Sequence, residues 1–174
     1  PGVTTKILSK KVNEVMLTVP EALEYLDKDV TYTVTGLPVR SAISTKTKAE
    51  ARKELGFDDS FCILSFGGSL GAGKINELGA DIIEWHSGKR DINHIHGYGG
   101  MGKDTFVKSL VEREVDVNDK RLRVSEYIDN MATCMAAADV IICRSGASTL
   151  SEIQAVGRAS ILIPSPVVAG NHQY

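Results

Sequence analysis

The chain has 174 residues, 43% of them hydrophobic and 24% charged, so it can bury one sizeable core, or a complete domain with part of another. A formal net charge of -2 gives no electrostatic reason to expect a nucleic-acid partner, and no apolar stretch approaches the roughly 18 residues needed to span a bilayer. No basic leader precedes an apolar core at the N-terminus, so the expectation is an ordinary intracellular globular protein. The three cysteines form no C-x-x-C pair; Cys62 and Cys143 lie in apolar runs as small buried hydrophobes, which argues against a disulfide framework or a zinc site.

Short apolar, β-branched runs alternate with amphipathic segments along the chain. Strands are predicted at 14–19 (EVMLTV) and 31–35 (TYTVT), before the glycine and proline of Gly36-Leu-Pro-Val-Arg40 break the chain. Residues 1–35 hold about two strands' worth of structure, too little for a domain, and read as the tail of a domain whose beginning is absent. Residues 36–174 read as a second domain, ending equally abruptly at Tyr174. Within it, helices over 47–55, 70–86, 104–115, 129–138 and 148–156 alternate with strands at 61–66 (FCILSF), 92–96 (INHIH), 121–127 (RLRVSEY), 139–143 (DVIIC) and 160–164 (SILIP). That alternation predicts an α/β fold, a doubly wound parallel sheet with helices on both faces.

Ligands of such sheets sit beyond the carboxyl ends of the strands, which directs attention to three turns: FGGSLGAGK, HGYGGMGKD and RSGAST. Gly68 to Lys74 fits G-x-x-x-x-G-K, but Ile75 follows where a magnesium-binding hydroxyl belongs, and Asp139 begins its strand instead of closing it. Gly97 to Gly102 spells G-x-G-x-x-G, with Asp116 and Asp119 at about the fingerprint's spacing, yet INHIH is too polar for the doubly buried strand that a dinucleotide fold requires. Gly67-Gly68-Ser69 and Ser145-Gly146-Ala147 are better candidates. Both follow apolar strands and open helices, where free N–H groups and the positive helix end accept a phosphate without a metal.

Other residues carry two readings each. Thr149-Leu-Ser-Glu152 is a capping-box pattern, and a carboxylate there equally suits two sugar hydroxyls; local sequence does not separate these. Arg144 ends a buried strand, placed for an ion pair or a ligand, and Arg40, in a loop, has the better claim to an anion. His94 and His96 share one strand face as metal ligands would, without an evident third ligand. Asp27-Lys28-Asp29 matches a metal-binding D-x-D but reads as a solvated turn, and Trp85 and Tyr98 read as packing residues.

Taken in order, PGVTTKILSK, GLPVR, FGGSLGA with Asn76, EYIDNM, AADVIICRSGASTLSE, ILIPSP and HQY resemble the MurG family of bacterial peptidoglycan enzymes over nearly the whole chain. The resemblance implies one lobe of a two-lobed, Rossmann-like GT-B type glycosyltransferase. It implies inverting transfer of N-acetylglucosamine from UDP-N-acetylglucosamine to the undecaprenyl-pyrophosphoryl-muramyl-pentapeptide, lipid I to lipid II, with no cofactor and no metal at the donor site. It places Arg40 and Ser69 at the diphosphate, with Ala147, Ser148 and Thr149 presenting a helix N-terminus to it. Ile128, after Tyr127, would meet the uracil through its backbone, Glu152 the ribose hydroxyls, and His172 and Gln173 the sugar. Gly67, Gly68, Arg144, Ser145 and Gly146 support these contacts.

The sequence departs from the family at Leu37, where Asn is usual, and at Glu126, where Pro is usual; both are loop changes that bear on affinity. The family's first lobe and its general base are missing, so no catalytic residue is assigned and no turnover by this chain alone is expected. Lys6, Lys10 and Lys11 border the family's membrane-facing patch, which implies a peripheral position on the cytoplasmic face, although a solvated lysine face explains them too. The alternative reading is an NAD- or nucleotide-binding module without transferase chemistry.

Overall fold

The structure is a computed structural model and describes residues 2–166 and Gln173. It forms two compact units that divide between Val39 and Arg40. In the first, α1 (Val3–Leu8) precedes β1 (Val15–Leu17), a 3-10 turn over Pro20–Tyr25 and β2 (Tyr32–Val34). The two strands pair in parallel, with Val15 opposite Tyr32 and Leu17 opposite Val34. The sequence reading has no helix at α1. It is six residues long and buries no side chain, and its Val3, Ile7 and Leu8 lie exposed.

The second unit runs from a 3-10 turn at Ser41–Ser44 through α2 (Lys48–Leu55), β3 (Phe61–Phe66), α3 (Gly73–His86), β4 (Ile92–Gly97), α4 (Gly99–Gly102) and α5 (Phe106–Glu112). It continues through β5 (Leu122–Ser125), α6 (Met131–Ala137), β6 (Val140–Cys143), α7 (Ala147–Val156) and β7 (Ala159–Leu162). All five strands of this unit are parallel, in the order β5-β4-β3-β6-β7. The chain steps outward from β3 to β5, then returns to the other side of β3 for β6 and β7. The order therefore reverses between β3 and β6, the doubly wound Rossmann-like arrangement whose crevice lies at that reversal.

Local chemistry explains the elements. Thr47 caps α2 with a full capping box: its hydroxyl accepts from the Glu50 N–H while the Glu50 carboxylate accepts from the Thr47 N–H. Gly56 ends the same helix in the left-handed conformation. β3 is buried on both faces from Cys62 onward, hence its unbroken apolar run. α3 buries Ile75, Gly79, Ala80 and Ile83 along one stripe, and Ala80 and Ile83 join Phe106, Leu110, Val115 and Leu122 in a core cluster. At the opposite end of the sheet Asp139 ties three elements together, accepting from Arg52 Nη2 at 2.5 Å, Lys48 Nζ at 2.6 Å and the Cys62 N–H at 2.7 Å.

The expectation that INHIH is too polar for an interior strand is wrong. β4 lies between β5 and β3, and Asn93, His94 and His96 are each 0% exposed. His94 and His96 hydrogen-bond to Ser65, so their burial leaves no uncompensated polar cost, and a reading of side-chain polarity alone cannot see such mutual satisfaction. The cysteines are all free and buried; burial pushes the Cys62 thiol up to about 12 and those of Cys134 and Cys143 to about 11.

Candidate nucleotide-sugar site

The strand register brings the carboxyl ends of the sheet into one line: Phe66 lies opposite both Gly97 and Cys143, and Gly97 opposite Ser125. A cleft opens above this line. Its walls are Phe66, Gly68 and Ser69 after β3, Gly97 at the end of β4, Glu126 to Asp129 after β5, Met131 at the start of α6, Glu152 on α7, and Arg40. Six sequence-predicted residues, Arg40, Gly68, Ser69, Tyr127, Ile128 and Glu152, thus meet in one cavity although they span over a hundred positions of chain. The Ile128 side chain is buried, and a Cβ on Gly97 would press against it at 3.0 Å, so the backbone of this segment is set by packing.

Glu152 is not part of a capping box. α7 starts at Ala147 with Gly146 as N-cap, so Thr149 is already the third helical residue and Glu152 lies in the second turn. The pattern misled because Gly146, with no side chain to cap, opens the helix three residues earlier than a threonine cap would. Freed of that task, Glu152 faces the cleft. Its carboxylate lies 3.5 Å from Arg40 Nη2, with Glu152 19% and Arg40 70% exposed. An ion pair this open is worth at most about 1 kcal/mol, so incoming hydroxyls and phosphates can replace it at little cost. Ser145 to Thr149 line neither this cleft nor its neighbour, but α7 opens beside them with no side chain capping its first N–H groups.

A second, neighbouring cleft is lined by Gly67 to Gly73, Met101, Arg144, Ser165 and Gln173. Arg144 forms no carboxylate pair among the described residues; it donates to the carbonyls of Ile163 and Pro164, at 3.2 and 2.8 Å, and so braces the segment after β7. Gln173 Oε1 accepts from the Ser165 N–H at 2.8 Å. His172 lies outside the described residues.

The rejected glycine readings acquire physical reasons. Lys74 pairs with Glu77 at 2.7 Å on the exposed face of α3 and lines neither cleft. In the turn after β4, Gly99 N–H donates to Glu126 O, Gly100 N–H to Ser69 O and Met101 N–H to Leu70 O, so donors that a dinucleotide would need are already engaged. Among the described residues no three His, Cys, Asp or Glu side chains converge as a metal set would. Asp27 pairs with Lys10 in the open. Tyr98 packs on Phe106, whereas Trp85 is half exposed with Arg90 over its ring, not the packing residue expected. Phe66, Asp129 and Met131 were assigned no role from the sequence, and Gly97 was weighed only in the dinucleotide reading; their signal here is position, at or beyond a strand's carboxyl end.

Comparison with known proteins agrees with this geometry. The glycosyltransferase family 28 C-terminal domain profile matches residues 62–174. A relative from Acetivibrio thermocellus, named UDP-N-acetylglucosamine--N-acetylmuramyl-(pentapeptide) pyrophosphoryl-undecaprenol N-acetylglucosamine transferase, is 41% identical over 99% of this chain and 46% of its own length. A Desulfitobacterium hafniense protein of the same name is 35% identical, with 47% of its length covered. The crystal structure of Acinetobacter baumannii MurG superposes with a TM-score of 0.63 at 26% identity, over 99% of this chain and 45% of that one. The chain therefore spans about half the length of the curated relatives it matches. With its sheet order, its crevice and the matched profile in accord, the chain belongs to glycosyltransferase family 28, by that family's C-terminal domain.

Proposed function

We propose that residues 36–174 form the donor lobe of an inverting, two-lobed GT-B glycosyltransferase. It would transfer N-acetylglucosamine from UDP-N-acetylglucosamine to undecaprenyl-pyrophosphoryl-N-acetylmuramyl-pentapeptide, with residues 1–35 belonging to the acceptor and membrane-facing lobe. The observation that carries the reading is the convergence of Arg40, Ser69, Ile128 and Glu152 on one cleft at the reversal of the sheet. The names of the relatives support the choice of sugar and acceptor.

In this scheme the uracil lies against the Ile128 backbone and Glu152 accepts from the ribose hydroxyls. Arg40, Ser69 and the N-terminus of α7 at Ala147, Ser148 and Thr149 hold the diphosphate, while Gln173 and His172 address the sugar. As the acceptor hydroxyl attacks the anomeric carbon, negative charge grows on the departing UDP. The α7 N–H groups are fixed in advance to stabilise it and Arg40, released from Glu152, joins them, which is how a donor site works without a metal. The attacking hydroxyl needs a general base, which we place in the acceptor lobe. No helix among the described residues is long and apolar enough to cross a membrane. The contact proposed with the cytoplasmic leaflet runs through Lys6, Lys10 and Lys11 beside the exposed Val3, Ile7 and Leu8.

Calorimetric titration of the chain with UDP, UDP-N-acetylglucosamine, UDP-glucose, NAD and ATP, with and without magnesium, tests the reading. Uridine-selective binding that magnesium does not change is the expected result. Preferential binding of NAD or ATP would overturn it in favour of a nucleotide module without transferase chemistry.

A further inference from the structure

Five buried side chains form one hydrogen-bonded file through β3, β4 and α3. His86 Nε2 lies 3.0 Å from His94 Nδ1, His94 Nε2 lies 2.8 Å from Ser65 Oγ, and Ser65 Oγ lies 2.7 Å from His96 Nδ1. His96 Nε2 lies 3.3 Å from Asn76 Oδ1, and Asn76 Nδ2 donates to the Tyr98 carbonyl at 2.9 Å. With the buried imidazoles neutral, the last contact sets every proton before it. A backbone carbonyl only accepts, so the amide nitrogen of Asn76 must face it and Oδ1 must face His96. His96 is then protonated on Nε2 and accepts at Nδ1; the Ser65 hydroxyl donates there and accepts from His94 Nε2; His94 Nδ1 accepts from His86 Nε2. All five donors point the same way, toward Tyr98.

Tyr98 stands where the site's backbone segments are laced together. Its own N–H donates to Ser125 O and that of Gly99 to Glu126 O, while the N–H groups of Gly100 and Met101 reach Ser69 O and Leu70 O. The two turns touch so closely that a Cβ on Gly71 would strike the Tyr98 carbonyl, and one on Gly99 the backbone of Gly71. Both glycines have positive φ, +82° and +65°, so side chains are excluded there by conformation as well as by space. Residues 68–71, 98–101 and 125–128 are thus tied to one another, and the bond from Asn76 to the Tyr98 carbonyl joins them to the buried file.

We propose that Asn76 is a positioning residue of the donor cleft: held by His96, it fixes the Tyr98 carbonyl, and through it the backbone that carries Ser69 and Ile128. This rests on the donor-site reading above. The test uses the isotope-labelled chain, Asn76→Asp, which keeps an acceptor for His96 and loses the donor to Tyr98, and Asn76→Ala, which loses both. In folded variants we expect UDP affinity to fall about tenfold, the equivalent of one lost hydrogen bond. Amide resonances of Ser69–Gly71 and Gly99–Met101 shift, and those of β6 stay in place. UDP affinity within twofold of the parent in either folded variant overturns the proposal. Should the parent itself bind no UDP, the donor-site reading falls, and the amide resonances alone decide: no shift in the two turns overturns the positioning role. Should neither variant fold, imidazole nitrogen shifts of the unaltered chain decide it. Nε2–H tautomers at His94 and His96 support the file, and a proton on His96 Nδ1 overturns it.

Discussion

Lowering the pH from 7.5 to 5.0 should remove at least about 2 kcal/mol of folding stability, the share of His96 alone, and the buried histidines are the reason. Burial pushes His96 down to about 4 from its ordinary 6.5, and burial also holds His94 well below 6.5, with its neighbours His96 and His86 adding to the effect. His86 is lowered too, by burial, with the Asp119 charge opposing. A depressed histidine takes up its proton more readily when unfolded, so its contribution is complete above 6.5 and drains away as the pH falls toward the folded value. For His96 alone, a shift from 6.5 to about 4 is worth about 3 kcal/mol at full titration and about 2 kcal/mol by pH 5. Between 6.5 and 5 most carboxylates stay ionised in both states, so histidine dominates this window. Trp85, the chain's one tryptophan, sits on α3 beside the file and reports its unfolding. Urea titrations followed by its fluorescence at pH 7.5, 6.5, 5.5 and 5.0 measure the slope. A fall smaller than about 0.5 kcal/mol across that range would refute the neutral, donor-ordered file.

Two substitutions probe other parts of the molecule. Arg40→Ala should weaken UDP about tenfold by calorimetry while leaving uridine within twofold, since its proposed contact is the diphosphate; equal losses for both would place Arg40 elsewhere. Asp139→Ala removes the acceptor shared by Arg52, Lys48 and the Cys62 N–H, leaving the buried Arg52 without its carboxylate. It should cost about 3 kcal/mol in urea-induced unfolding, and a loss under about 1 kcal/mol would mean that the guanidinium's bonds to Ala137 O and Asp59 O suffice.

The parts of the fold legible in the sequence are those whose signal is local. FCILSF matches β3 to the residue because an interior strand buried on both faces must be continuously apolar. DVIIC falls one residue from β6 for the same reason. β4 hid its place because its histidines are satisfied by Ser65, on a strand 29 positions from His94, and by Asn76 and His86 on a helix. The cleft was legible where a motif crossed a strand end, as at Ser69 and Ile128. Glu152 was ambiguous because capping box and ligand demand the same letters; the helix start at Ala147 excludes the capping box. Arg144 showed only that it ends a buried strand; that it braces the carbonyls of Ile163 and Pro164 depends on how β7 lies against β6.

The central claim is that Glu152 reads the ribose of a uridine nucleotide. Titrating UDP and 2′-deoxy-UDP into the chain and into Glu152→Ala tests it most directly. The account predicts that Glu152→Ala weakens UDP by about 10- to 100-fold, the worth of charge-assisted hydrogen bonds, and that the two nucleotides then bind alike. Unchanged UDP affinity in a folded Glu152→Ala, or a preserved preference for UDP over its deoxy form, would contradict it.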